Sequence, residues 1–190
     1  MRKVLVLFGV ILAFAIGAFS QVPVGSKIDG FSLPDIDGKT QSLADLKGSK
    51  GVVFVFVSIE CPVCRGYDKR VNELAKSYKA KGINVIGIDS NVDEAAAAVK
   101  AHAMLNWDFP VLLDKDSKVA EKLGASVTPE VFYIDQENSL LYHGAIDNDR
   151  TGRNITDRYL QTAFDSELAG KKIERTSAAL FGCSIKKTGQ

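Results

Sequence analysis

Apolar and polar positions along this chain switch between the period of a strand and the period of a helix. Val52 to Val57 is continuously apolar and β-branched or aromatic, the pattern of a central strand covered on both faces. After it, Tyr67, Val71, Leu74, Ala75 and Tyr78 recur at helical spacing with Lys69, Arg70, Glu73 and Lys76 between them, which predicts an amphipathic helix. Ile83 to Ile88 predicts the next buried strand. Ser90, three residues ahead of Asp93, predicts the cap of an alanine-rich helix ending near Ala103. This alternation of strand and helix implies a parallel core.

The remaining segments predict shorter elements. Phe31-Ser32-Leu33 and Gln41-Ser42-Leu43 flank Asp37-Gly38, a hairpin signal near the start. Phe109 to Leu113 predicts a short strand, Lys118 to Leu123 a short helix stopped by Gly124, and Val131 to Ile134 another strand. The turn Asp135 to Asn138 then returns Leu140 to His143 antiparallel. Asn154 with Asp157 predicts the opening of a last helix, with Tyr159, Leu160, Ala163, Phe164 and Leu168 on its apolar face. Beyond Gly170 the chain is basic and rich in small residues, which predicts a loosely held tail.

The first twenty residues differ from the rest. Arg2 and Lys3 precede an apolar and glycine run from Val4 to Phe19, and Ala18-Phe19-Ser20 offers a cleavage site before Gln21, the three parts of a secretory signal peptide. The run is short of the roughly 20 residues a spanning helix needs, so an uncleaved anchor is the less favoured alternative. The expected organisation is therefore a signal peptide over 1–20, one domain over 21–170 and a basic tail over 171–190. Export leads to the periplasm or the extracellular space, where a disulfide persists unless something reduces it. Loss of Arg2 and Lys3 from 24 basic groups, against 23 acidic ones, leaves a net charge of −1. That balance gives nucleic acid no support as a partner, and a membrane would be met only through an uncleaved leader.

The chemistry lies where the first strand pattern meets the helix pattern, at Cys61-Pro62-Val63-Cys64. Two thiols at this spacing between strand and helix point to a redox dithiol. The bland alternative is half a zinc site, but only Cys183, His102 and His143 remain to complete it, and they are scattered. No metal site and no cofactor is expected. His143 is expected on the exposed face of an edge hairpin, and His102, near a helix end, in solvent.

The order of elements, the dithiol and several phrases together resemble the thioredoxin-like superfamily over roughly residues 24–169. Asp29-Gly30-Phe31-Ser32-Leu33-Pro34-Asp35, Asp37-Gly38-Lys39 and Leu46-Lys47-Gly48 are similar to the opening of the peroxiredoxin-related redoxins of AhpC/TSA type. Phe109-Pro110-Val111-Leu112-Leu113-Asp114, Leu123-Gly124-Ala125 and Val127-Thr128-Pro129-Glu130-Val131-Phe132 resemble the middle of that group. Gly182-Cys183-Ser184-Ile185-Lys186 resembles the tail of its CxxC-containing, peroxiredoxin-like branch. The resemblance implies an α/β thioredoxin-like fold, a central mixed sheet flanked by helices, with an N-terminal β-hairpin extension. It also implies a cis peptide bond at Thr128-Pro129, facing the dithiol, and Thr128 backbone groups that offer strand-like hydrogen bonds to a partner polypeptide.

On this reading Cys61, at the helix N-terminus, is the nucleophile and Cys64, one turn further in, the resolving thiol. Pro62 has no N–H to donate, Val63 brings no charge and Glu60 adds a negative one, so the couple is expected to be a reductant or a weak oxidant. Val55 stands where thioredoxin has a buried aspartate, which leaves proton transfer to Glu60 or water. The expected activity is that of an exported thiol–disulfide oxidoreductase acting on protein thiols and disulfides with an upstream reductant or oxidant. Two alternatives stand beside it. Ser58, three residues before Cys61, partly matches a peroxidase pattern, although Phe54 occupies the proline position and no downstream arginine matches beyond the candidates Arg150 and Arg153. Cys61, Cys64 and His143 could instead handle Cu(I). Cys183 is either a passive thiol in the tail or a third redox partner.

Overall fold

The computed structural model describes residues 21–188. The leader lies outside the described residues, and no helix among them is long and apolar enough to cross a membrane. The chain runs β1 Ser32–Pro34, β2 Thr40–Ser42, α1 Leu43–Leu46, β3 Val52–Val57, α2 Pro62–Lys79, β4 Asn84–Asp89 and α3 Ala96–Asn106. It continues with β5 Val111–Leu113, α4 Lys118–Leu123, β6 Val127–Thr128, β7 Glu130–Ile134, β8 Leu140–Gly144, α5 Tyr159–Leu168 and β9 Cys183–Ser184.

A five-stranded sheet ordered β5-β4-β3-β7-β8 forms the centre. The expected parallel part is β3, β4 and β5, and β7 and β8 are added antiparallel, so the sheet is mixed. β3 is the middle strand and all six of its residues are buried. Because successive side chains point to opposite faces, Val53, Val55 and Val57 enter one core layer and Val52, Phe54 and Phe56 the other. The first layer is closed by α2, α3 and α5 through Tyr67, Val71, Ala75, Tyr78, Val99, Leu160 and Phe164. The second is closed by the hairpin, α1 and α4 through Leu33, Leu43, Leu46, Val119 and Leu123. Fully burying Phe54 or Phe56 contributes about 2–3 kcal/mol each, which is why this strand anchors the sheet.

Two predicted helix starts move. Ser90 does not cap α3; its hydroxyl donates to Asp114 Oδ2 at 2.7 Å, and α3 begins only at Ala96. Residues 148–158 form a loop held by Asn148, whose Oδ1 accepts from Thr156 and Asp157 N–H, both at 3.0 Å, so α5 starts at Tyr159 rather than near Asn154. Ser90 thus spends its hydroxyl on a buried carboxylate, and Asn148 satisfies loop backbone where a helix was expected to open. α4 ends as expected, with Gly124 in the left-handed region at φ 73°.

The largest departure is the C-terminal segment, which is docked rather than loose. His143 N–H donates to Thr176 C=O at 3.0 Å, Ile173 and Ile185 are buried, and β9 pairs antiparallel with β6. Its apolar anchors, Ile173, Phe181 and Ile185, are too widely spaced to produce a helix or strand period.

Candidate functional site: a thiol centre between two carboxylate-braced loops

β3 ends at Val57, and residues 58–60 turn the chain into α2. Cys61 is the N-cap with Pro62 in the first helical position, where a missing N–H costs nothing. Cys61 and Cys64 are both buried. The turn is built around Glu94, a buried residue in the loop before α3. Its carboxylate accepts from the Ser58 hydroxyl, from Ile59 N–H at 2.9 Å and from Glu60 N–H at 3.3 Å. Ser58 Oγ in turn accepts from Cys61 N–H at 3.1 Å. Ser58 thus fixes the cap residue of the dithiol helix and has its own proton committed to Glu94.

Asp89, at the end of β4, lies fully buried beside Glu94. Burial above all, then the neighbouring Glu94 carboxylate, pushes its acid up to about 7, partly offset by Lys115, whose Nζ is 2.9 Å from Asp89 Oδ1. Oδ2 finds no donor, as expected where its neighbour is another carboxylate.

The opposite wall is the loop leading into β7. The Thr128-Pro129 bond is cis, as the resemblance implied, and the Thr128 carbonyl oxygen lies 3.3 Å from Cys61 Sγ. Glu130 braces this loop as Glu94 braces the other. Its Oε2 accepts from Ser126 N–H at 2.8 Å and Val127 N–H at 3.0 Å, and its Oε1 accepts from His143 Nε2 at 2.5 Å. His143 is therefore not on an exposed face: it is buried, stacked on Phe132, and committed to Glu130. His102 is also not in open solvent; it is half-buried with its ring against Trp107.

The disulfide joins Cys61 to Cys183, and Cys64 is the free thiol. This departs from the expected Cys61–Cys64 bond. The reason is topological: β9 sets Cys183 directly opposite Thr128 in the β6 pairing, with the Cys61 and Cys183 Cα atoms 5.9 Å apart, inside the usual bridging range. The Cys64 thiol is pushed up to about 12, chiefly by burial, with Asp68 and Glu94 adding to it and contacts from Thr128 and Ser58 opposing it. Glu60 is exposed, 3.9 Å from Lys186 Nζ, so its charge is partly met by the tail. Arg150 and Arg153 are exposed, and the Arg150 backbone carbonyl accepts from Arg70 of α2.

The phrase Tyr142 to Asp149 forms a brace for α2. Asp147 accepts from Tyr67 Oη at 2.8 Å and pairs with Arg70 at 2.5 Å.

A family model described as AhpC/TSA matches residues 24–143. The chain belongs to the AhpC/TSA family. This AhpC/TSA chain is 34% identical over 122 residues to the thiol-disulfide oxidoreductase ResA of Bacillus anthracis, covering 64% of this chain and 69% of that one. It is 32% identical over 130 residues to the thiol:disulfide interchange protein DsbE of Yersinia pestis, covering 67% of each. The crystal structure of a hypothetical protein from Sinorhizobium meliloti 1021 superposes with a TM-score of 0.82 at 32% identity, over 90% of this chain and 98% of that one. The chain is thus a homologue of thiol-disulfide oxidoreductases, with the mixed thioredoxin-like sheet that its sequence implied.

Sequence reasoning missed Asp89, Glu94 and Glu130. Glu130 carried a weak signal, an acid directly between Pro129 and the apolar run Val131 to Ile134. Asp89 and Glu94 carried none, because a carboxylate just past a predicted strand or in the first turn of a predicted helix reads as solvated.

Proposed function

We propose that the protein is an exported thiol–disulfide oxidoreductase acting on protein disulfides, with Cys61 as nucleophile, Cys64 as resolving thiol and Thr128 and Pro129 as the surface that receives the partner. The organisation that accompanies this reading is a cleaved leader over 1–20, a redoxin domain over 21–170 and a basic tail over 171–190. The observation that carries it is the position of Cys61 Sγ at the mouth of α2 against the carbonyl of Thr128, on the cis-Pro129 loop. An extended partner segment can hydrogen-bond to that loop while its disulfide meets Cys61.

The Cys61 thiolate attacks one sulfur of the partner disulfide, forming a mixed disulfide and releasing the first partner thiolate. Cys64 then attacks Cys61, releases the second partner thiolate and leaves Cys61–Cys64 oxidised. Two electrons have passed to the partner, and an upstream dithiol reductant restores the pair. Ser58 and Glu94 set the geometry of the attacking residue, and Glu60 tempers its charge. A peroxidase would instead offer the peroxide a free hydroxyl and a cation beside the nucleophile, whereas Ser58 is committed to Glu94 and its surroundings are acidic.

Mature protein supplied with dithiothreitol should reduce insulin disulfides and consume hydrogen peroxide only slowly. Insulin turnover should vanish in Cys61→Ser. Peroxide turnover that outpaces insulin reduction and survives in Cys64→Ser would replace this reading by a peroxidase.

A further inference from the structure

We propose that Gly182–Lys186 is a pseudosubstrate strand, that Cys183 is a third exchanging thiol, and that the partner is a polypeptide whose cysteine lies in an extended segment of the same kind: small residue, Cys, any residue, aliphatic, basic. The proposal rests on the oxidoreductase reading above and names the substrate class of that site.

The tail sits where a partner strand would add. β9 pairs antiparallel with β6 so that Cys183 lies opposite Thr128 and Ser184 opposite Val127, and Ile185 N–H donates to Ser126 C=O at 3.0 Å. This is strand addition to an exposed loop edge, the main-chain mode by which extended polypeptides are recognised. Each flanking position meets a distinct environment. At Gly182 a Cβ would come within 2.2 Å of the Thr128 carbonyl oxygen, so only glycine fits that approach without a shift. Ile185 is 2% exposed and joins the second core layer. Lys186 reaches the far wall: its N–H donates to Asn91 Oδ1 at 3.1 Å, its carbonyl accepts from Val92 N–H at 3.0 Å, and its Nζ is 2.6 Å from Asp93 and 3.9 Å from Glu60. Backbone pairing supplies affinity, and the glycine contact, the aliphatic socket and the acidic rim supply selection.

Tail and partner cannot hold the same edge together, which orders the exchange. While a partner occupies the loop, Cys183 is displaced and Cys64 resolves the mixed disulfide, giving Cys61–Cys64. After release the tail docks and the Cys183 thiolate attacks Cys61 Sγ. The Cys61–Cys183 bond forms, the Cys61–Cys64 bond breaks, and Cys64 takes up the proton that Cys183 gave. The protein's oxidation level is unchanged, and no further oxidant is required. The buried Cys64 thiol left beneath the tail is a poor nucleophile, which keeps the latched form in place.

The test uses the full mature chain. Free thiols of the oxidised protein are alkylated and the disulfides mapped by mass spectrometry. Reduced protein is then assayed on insulin, on hydroxyethyl disulfide, and on the peptide Leu-Phe-Gly-Cys-Ser-Ile-Lys-Lys carried as a mixed disulfide, with a scrambled peptide as control. Wild type should map to Cys61–Cys183 with Cys64 free, and Gly182→Val to Cys61–Cys64. A tail docked about nine-tenths of the time raises the apparent KM about tenfold, so Gly182→Val should lower KM for both polypeptides by about that factor and leave hydroxyethyl disulfide unchanged. Cys183→Ser keeps the strand and loses the bond, so its polypeptide KM should stay at the wild-type value. A wild-type map showing Cys61–Cys64 with Cys183 alkylated overturns the proposal. So does a Gly182→Val effect that is absent or equal for the small disulfide, or a scrambled peptide reduced as well as the native one. Insulin turnover absent from every variant would sink the oxidoreductase reading instead, while the map still decides the latch.

Discussion

Replacing Asp89 by asparagine should stabilise the protein at high pH and not at low pH. Asp89 is fully buried, and burial together with Glu94 raises its acid from an ordinary 3.8 to about 7. Below about pH 4 the carboxyl is protonated in both folded and unfolded chains, and the stability it contributes as a neutral group is fully present. As pH rises, the unfolded chain releases its proton first, and the folded chain keeps it until about pH 7. Stability therefore falls across this window, by about 4 kcal/mol in total at roughly 1.4 kcal/mol per pH unit.

The asparagine side chain in Asp89→Asn would be neutral at every pH. Its amide oxygen can keep the 2.9 Å bond from Asn91 N–H, and its amide N–H can meet the Glu94 carboxylate where Oδ2 now has no donor. The half-exposed Lys115 pair already holds the Asp89 acid down to about 7, so its loss is contained in the same figure. Urea unfolding of both oxidised proteins between pH 4 and 8 isolates the effect, because other titrating groups cancel in the difference. The variant should gain about 4 kcal/mol relative to wild type across that range, starting near parity at pH 4 and ending about 4 kcal/mol more stable at pH 8. A difference that stays flat with pH, or a variant less stable than wild type at pH 8, would refute the claim that Asp89 is held protonated by burial and by Glu94.

The two loop braces make parallel predictions. Glu94→Ala strands the Ser58 hydroxyl and the Ile59 N–H, while Glu60 N–H keeps its 3.2 Å bond to Ser58 Oγ; at about 1–3 kcal/mol for each unpaired group, chemical denaturation should register a loss of about 2 kcal/mol or more. Glu130→Ala strands the N–H groups of Ser126 and Val127 and the His143 ring, so urea unfolding should show a loss of about 2–4 kcal/mol, with a larger rise in KM for insulin than for hydroxyethyl disulfide. Cys64, held at about 12, should resist iodoacetamide at pH 8 in the oxidised native protein and react at once on unfolding; labelling at the rate of a free cysteine would contradict its burial.

The fold was legible where side-chain chemistry follows a single period. Val52 to Val57, the Tyr67 to Tyr78 stripe and the Gly124 stop each specify local structure with little help from elsewhere. The dithiol was legible because two cysteines at that spacing are unusual, and the cis-Pro129 loop only through the resemblance of Val127 to Phe132 to the redoxins. What was not legible depends on contacts made far along the chain. Glu94 and Glu130 look like surface residues until residues 58–60 and 126–127 bring donors to them, and His143 does until β7 sets Glu130 beside it. Ser90 and Asn154 have the chemistry of helix caps, yet Ser90 turns to Asp114 and Asn154 gives its N–H to Asp149. The tail's docking was hidden for the same reason: Phe181 meets Tyr67 of α2, Gly182 passes the Thr128 carbonyl and Ile185 enters the second core layer.

The central claim is that Cys61 is the sulfur that meets the partner. Cys64→Ser/Cys183→Ser protein, which keeps Cys61 alone, should be mixed with an oxidised polypeptide substrate, quenched in acid and mapped by mass spectrometry. The account requires a stable mixed disulfide on Cys61, and its disappearance when Cys61→Ser is added. No adduct on Cys61, or an equal yield from the chain in which Cys64 is the sole remaining thiol, would contradict it.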